Sequence, residues 1–180
     1  MKALLLIGSG RQDSHTKALA QSIGSSLEKH GIQTVSFELA KQGLPFADPA
    51  FHKNPEQNPD PKVQTFVRYT NETDLFVFLS PIYHNSYSGI LKNALDHLAI
   101  AQCSGKVIGL ASHGGNRTTQ AVDHLRIVTR GLNAITIPTQ VCTQDSDYTS
   151  QEQGFVVTDP GILERIERFT QELVTIGSAL

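Results

Sequence analysis

Three stretches of the 180-residue chain combine residue types that suit chemistry, and each follows a short apolar run. The first is Gly8-Ser9-Gly10-Arg11-Gln12-Asp13-Ser14-His15-Thr16. Its glycines let the backbone turn tightly and approach a ligand. Ser9, Ser14 and Thr16 bring short hydroxyls, and Arg11 brings a planar cationic fork. The helix that follows offers unpaired amides carrying partial positive charge. Together these suit a phosphate monoester. The bland alternative is a capped turn in which Ser14 satisfies helix amides. Two other phosphate loops do not fit. There is no GK[ST], and Asp13 stands where GxGxxG needs its third glycine, which disfavours a nucleoside triphosphate or a pyrophosphate dinucleotide as the tightly held ligand.

The second stretch is Ser80-Pro81-Ile82-Tyr83-His84-Asn85-Ser86-Tyr87-Ser88. Pro81 stiffens the exit from a strand, and aromatic rings, an imidazole and an amide follow at once. A flat heteroaromatic ring needs such a wall, with backbone amides at its polar edge; the alternative is an ordinary polar loop. The third is Ser112-His113-Gly114-Gly115-Asn116, where paired glycines permit close backbone approach to the far edge of the same ring. Loop histidines such as His84 and His113 are more often hydrogen-bonded surface groups than catalysts. The seven histidines show no HExxH or other ligand spacing, so no metal is expected. No GxSxG or assignable Cys–His pair is present, so no protein nucleophile or base can be read. Tyr69 and the Arg126/Arg130 pair read as solvated or helix-end features.

Such loops need elements to position them. Runs at 4–7, 35–37, 75–79, 107–111 and 134–137 look like strands, several apolar without alternation, as strands covered on both faces are. Residues 16–30 carry Leu19, Ile23 and Leu27 at helical spacing, with Gly31 as the stop. Helices are also expected near 61–72, over 89–98 with Leu91, Leu95 and Leu98 on one face, and over 116–130, stopped by Gly131. The last begins at Asp159-Pro160 and repeats Ile162, Ile166, Phe169, Leu173 and Ile176. Five strands alternating with five helices make a parallel α/β sheet with right-handed crossovers. Ligands bind such sheets at the carboxyl ends of the strands, where all three stretches lie. Residues 45–61 hold five of the eight prolines and read as a long loop, either a cover over a site or subunit contact or a surface excursion.

Composition agrees with one globular domain spanning 1–180. Apolar residues make up 39% and charged residues 18%, which excludes a disordered chain. A net charge of -2 supplies no basic field for nucleic acid. No stretch is long enough for a membrane span or a signal-peptide core. Cys103 and Cys142, 39 positions apart, read as buried thiols in a reducing cytoplasm.

With these loops in hand, the sequence resembles the NADPH-dependent FMN reductase family of flavodoxin-like proteins, in its azobenzene-reductase and quinone-reductase branch. The resemblance runs from Met1 to about residue 140 and rests on two motifs. One is Gly8-Ser9-x-Arg11-x-x-Ser14; the other is Pro81-x-Tyr83-x-x-x-x-x-Gly89-x-Leu91-Lys92-Asn93-Ala94-Leu95-Asp96. It implies a three-layer sandwich with strand order 2-1-3-4-5 and a tightly held FMN. Ser9, Arg11, Ser14, His15 and Thr16 would grip the phosphate. Pro81, Ile82, Tyr83, His84, Asn85 and Ser86 would flank the isoalloxazine ring, and Ser112, His113, Gly114 and Gly115 its pyrimidine side. Hydride would pass from NADPH or NADH to flavin N5, and on to an azo compound, quinone or free flavin, with no catalytic side chain required. Homodimers or homotetramers are implied too. The family often has Glu at Ile82, Asn at His84 and Pro at Ser88, so the charge beside the ring and the acceptor preference stay open. Two other readings remain: an electron-carrier flavodoxin, which NADPH would not reduce, and a binding or sensor module with the same fold and no FMN uptake.

Overall fold

The computed structural model describes residues 1–180. Its centre is a parallel sheet of β1 (Lys2–Ile7), β2 (Gln33–Glu38), β3 (Leu75–Pro81), β4 (Val107–His113) and β5 (Ile135–Thr143), in the order β2-β1-β3-β4-β5. Alternation along the strands supplies a core on each face. Ala3, Leu5, Ile7, Val77 and Leu79 point to one side; Leu4, Leu6, Phe76 and Phe78 point to the other. The first set packs on α1 (His15–Lys29) and α7 (Pro160–Ser178). The second packs on α3 (Pro61–Asn71), α4 (Gly89–Asp96) and α6 (Gln120–Gly131). β3 is buried along its whole length, which is why it reads as an unbroken apolar run. Each fully buried Leu or Phe contributes about 1.5–3 kcal/mol relative to exposure.

The helix signals operate as physical caps. Ser14 Oγ accepts from the Lys17 amide at the start of α1, and Gly31, at φ 75°, follows its end. Asp159 Oδ1 accepts from the Ile162 amide, and Pro160 opens α7. Gly131 does not stop α6; it is the last helical residue, and Leu132 caps it. That helix begins at Gln120 rather than at residue 116, leaving 116–119 in the loop after β4.

Three further features lie beyond the expected elements. Short helices α2 (Leu39–Gln42) and α5 (Ile100–Cys103) extend the connections. β5 runs six residues past the expected end at 137 because its Pro138 sits on the outer edge of the sheet, at a register shift opposite Ile108–Leu110, where no ladder amide is needed. An antiparallel hairpin, β6 (Tyr148–Gln151) and β7 (Gly154–Val157), follows β5. Arg126, expected to be a solvated or helix-end feature, donates to the carbonyls of Ile137 and Pro138 and blunts that edge. The proline-rich segment does form a long connection, with 3-10 turns at Pro49–Phe51 and Pro55–Gln57. Asn93 and His97 of the α4 region both bind the Pro45 carbonyl, and Asn93 also takes the Ala47 amide. No helix is long and apolar enough to cross a membrane.

Candidate functional site

The loops after β1, β3 and β4 meet at the carboxyl edge of the sheet. They are stitched together by backbone and hydroxyl bonds. The Gly8 amide donates to the Leu79 carbonyl at 2.8 Å. Ser88 Oγ, which also caps α4, donates to the Gly8 carbonyl at 2.5 Å. Ser80 Oγ takes the Ser88 amide, and the Ile82 amide donates to the His113 carbonyl at 2.7 Å. Gly8 has to be glycine: a Cβ there would lie 2.8 Å from both the Leu79 carbonyl oxygen and Leu91 Cβ.

Between these loops lies a cavity of about 310 Å³. Of the residues expected at a ligand, Ser9, Arg11, Ser14, His15, Thr16, Pro81, Ile82, Tyr83, His113, Gly114 and Gly115 line it. The other four do not. His84 and Asn85 occupy the centre of a tight turn at φ 48° and 62°, closed by mutual Tyr83–Ser86 backbone bonds. Ser86 Oγ faces His124 Nδ1 at 2.9 Å. Ser112 is buried, with its hydroxyl directed at Cys142 Sγ. Three residues not singled out in the sequence join the wall: Asp13, Asp145 and Phe155. Asp145 lies just past the end of β5, so the strand-end rule extended to that strand finds it. Phe155 arrives on the β6–β7 hairpin, for which no local pattern signals a place at the site.

The loop between β1 and α1 is rich in unused donors. Among its amides from Ser9 to Ser14, only that of Arg11 finds a protein acceptor, Ser9 Oγ at 3.1 Å. The Arg11 side chain is exposed and makes no ion pair. Thr16 is 1% exposed, and its Oγ1 is buried without any hydrogen-bond partner. A buried unpaired hydroxyl costs about 1–3 kcal/mol, so its position among free amides and a free guanidinium marks an acceptor-rich ligand. The donor set fits a phosphate. Tyr83, 47% exposed, and Ile82 provide an apolar flank, and Ile82 lies so close to Gly114 that a Cβ there would meet it at 2.9 Å.

On the far side His15 stacks on Phe155 (3.8 Å between centroids) and on His113 (4.3 Å, planes 20° apart). Burial is the main cause that holds both imidazoles below their ordinary pKa, offset by Asp145. His113 is fixed by Thr143 Oγ1 at Nδ1 and by Asp145 at Nε2, each at 3.2 Å. Donor atoms of His15, His113 and Asp145 lie within 4.8 Å of one another. A metal ion lies in the plane of each imidazole that binds it, however, and two nearly parallel stacked rings cannot share one ion in that way.

The loop after β4 is braced from the hairpin side. Arg117 donates through Nε and a terminal nitrogen to Asp147, which is fully buried, and pairs with Asp159 at 3.0 Å. This clasp joins the 114–118 loop, the hairpin and the start of α7.

Comparison with known proteins agrees with this geometry. A family model described as NADPH-dependent FMN reductase matches residues 1–147. The chain is 39% identical over 155 residues to an FMN-dependent NADPH-azoreductase of Staphylococcus saprophyticus, covering 86% of this chain and 82% of that one. Among solved structures it resembles an oxidoreductase from Corynebacterium diphtheriae, with a TM-score of 0.77 at 20% identity, over 100% of this chain and 98% of that one. It also resembles a flavodoxin from an archaeon, with a TM-score of 0.69 at 14% identity, over 99% of each chain. At those identities the two structures establish a flavodoxin-like fold.

Proposed function

The chain belongs to the NADPH-dependent FMN reductase family, and from that premise we propose that the cavity above the β1–α1 loop is its FMN site. The protein is an FMN-dependent NAD(P)H oxidoreductase. Bound FMN supplies reversible hydride chemistry, which relieves the protein of providing an acid, base or nucleophile. The observation that carries the site assignment is the buried, unpartnered hydroxyl of Thr16, in a cavity that the unpaired Arg11 also lines.

In this reading Arg11 offsets the phosphate charge, and Ser9, Thr16 and the free loop amides donate to its oxygens. Ser14 Oγ already accepts from the Lys17 amide but keeps its own proton to donate. Pro81, Ile82 and Tyr83 form the flank for the ring, and the Gly114-Gly115 backbone borders its pyrimidine edge. His15 and His113, held neutral by burial, back this wall without adding charge to it. Orientation of the reacting rings is then the protein's main contribution to rate. An azo compound, a quinone or free flavin is the proposed acceptor, the first by analogy with the staphylococcal relative. One domain over 1–180, a cytoplasmic location and a homodimer or homotetramer complete the reading. Both core clusters pack on one sheet, and both cysteines are free and buried, in keeping with a reducing compartment.

Fluorescence titration of apoprotein with FMN tests the site. Arg11→Ala is expected to weaken FMN binding by about 10- to 100-fold, the worth of one charge-assisted hydrogen bond, and to leave the far-UV spectrum of the apoprotein unchanged. Unchanged affinity would move the phosphate elsewhere.

A further inference from the structure

A second cavity, of about 360 Å³, lies at the outer edge of β5 and takes no part in the site described above. Three arginines line it: Arg117 from the loop after β4, and Arg165 and Arg168 from the first turns of α7. Thr119, Gln140 and Cys142 complete much of its wall. The three guanidinium groups differ in how they are satisfied. Arg117 is engaged by Asp147 and Asp159. Arg165 uses only Nε, which donates to the Gln140 carbonyl, and neither of its terminal nitrogens has a carboxylate partner. Arg168 is exposed and has no ion-pair partner at all. Asp123 accepts from the Thr119 hydroxyl at 2.7 Å and pairs with none of the three arginines. Two guanidinium forks therefore line one concave space with no carboxylate at ion-pair distance from either, although Glu164 and Glu172 stand one helical turn from Arg168.

The two cavities have no lining residue in common, but the chain brings them close at two places. Cys142 lies beside Ser112 across the β4–β5 ladder, with Sγ and Oγ 3.5 Å apart, and the next residue, His113, lines the first cavity. Arg117 follows two residues after Gly115, which also lines it. Two consecutive trans peptides span at most about 7 Å, so a molecule seated at Gly115 has the second cavity within its own length. Paired guanidinium forks suit a phosphate monoester, whose oxygens accept bidentate bonds from each. The volume also admits part of an attached nucleoside.

We infer that the Arg165/Arg168 cavity is a phosphate-monoester site that takes the adenosine 2′-phosphate of NADPH and so gives the enzyme its preference over NADH. This rests on the NADPH-linked activity and on the flavin cavity assigned above. Free phosphate offers the same chemistry, so the test separates the two sources. Calorimetry on the FMN-loaded protein with 2′-AMP, adenosine and inorganic phosphate reads the site without turnover, and steady-state kinetics with NADPH and NADH read its use.

The double variant Arg165→Ala/Arg168→Ala is expected to lose 2′-AMP binding and to raise KM for NADPH by about 10- to 100-fold. KM for NADH, kcat at saturating NADPH and the flavin absorption spectrum are expected to hold. Arg165→Lys/Arg168→Lys, which keeps the charge but not the fork, should recover part of the NADPH affinity. Equal changes with NADPH and NADH, or no change with either, would overturn the inference. So would phosphate binding that the double variant loses while KM for NADPH stays put, since the cavity would then serve a free anion. Because 2′-AMP needs no hydride transfer, its failure to bind counts against this site alone. Failure of NADPH to reduce the flavin counts against the activity.

Discussion

Thr16 is buried, polar and unpaired, a combination that costs stability unless something outside the chain repays it. Thr16→Val keeps the β-branched shape and the helix propensity while removing only the orphan hydroxyl. The apoprotein of that variant should unfold at the same denaturant concentration or a higher one. Its FMN affinity should fall about tenfold or more. A destabilised apoprotein with unchanged FMN affinity would make the hydroxyl a structural group. The opposite signs of the two effects separate ligand recognition from fold. At this scale the sequence is most informative where residue type alone fixes the chemistry: Ser9, Arg11, Ser14 and Thr16 are legible because hydroxyls, a guanidinium and glycines cluster before a helix. His84 and Asn85 are legible as polar but not in place, since left-handed backbone at both sets them in a tight turn, outside the lining of the cavity. Phe155 is invisible locally because its role depends on a hairpin folding back across His15.

The β6–β7 hairpin is the element that sequence periodicity overlooks, and the clasp that holds it has consequences for the site. Asp147 is fully buried and depends on Arg117 for its counter-charge, with help from the Gln144 amide. Arg117→Ala should cost about 2–3 kcal/mol in urea unfolding, less than the loss of a partner from a fully buried pair because Arg117 is itself 43% exposed. Asp147→Asn in the same background should recover part of that loss. A cost below about 0.5 kcal/mol would mean that water replaces the guanidinium. The loop carrying Gly114 and Gly115 hangs from this clasp, so FMN affinity should weaken in parallel. Pro138 looks like a terminator to a reader of local pattern, yet an edge strand accommodates it at a register shift, and the extra residues carry Thr143 to His113.

At the scale of the whole molecule, the alternating inward and outward side chains of β1 and β3 fix two core clusters on a single sheet. The order β2-β1-β3-β4-β5 then gathers the loops after β1, β3 and β4 at one edge. The first is legible in the unbroken apolar runs and the second in the family resemblance. What sequence could not supply is the second cavity. Its arginines lie in two segments about 50 residues apart, each unremarkable as a solvated charge until the fold joins them. A carrier flavodoxin and an empty binding module share this architecture with a reductase, and one experiment distinguishes all three. Apoprotein is titrated with FMN, freed of excess, and mixed anaerobically with NADPH while the flavin absorbance is followed. One FMN per chain and prompt bleaching of the flavin band by NADPH are expected. Protein that takes up no FMN, or whose bound FMN keeps its colour in excess NADPH, would contradict the reductase reading.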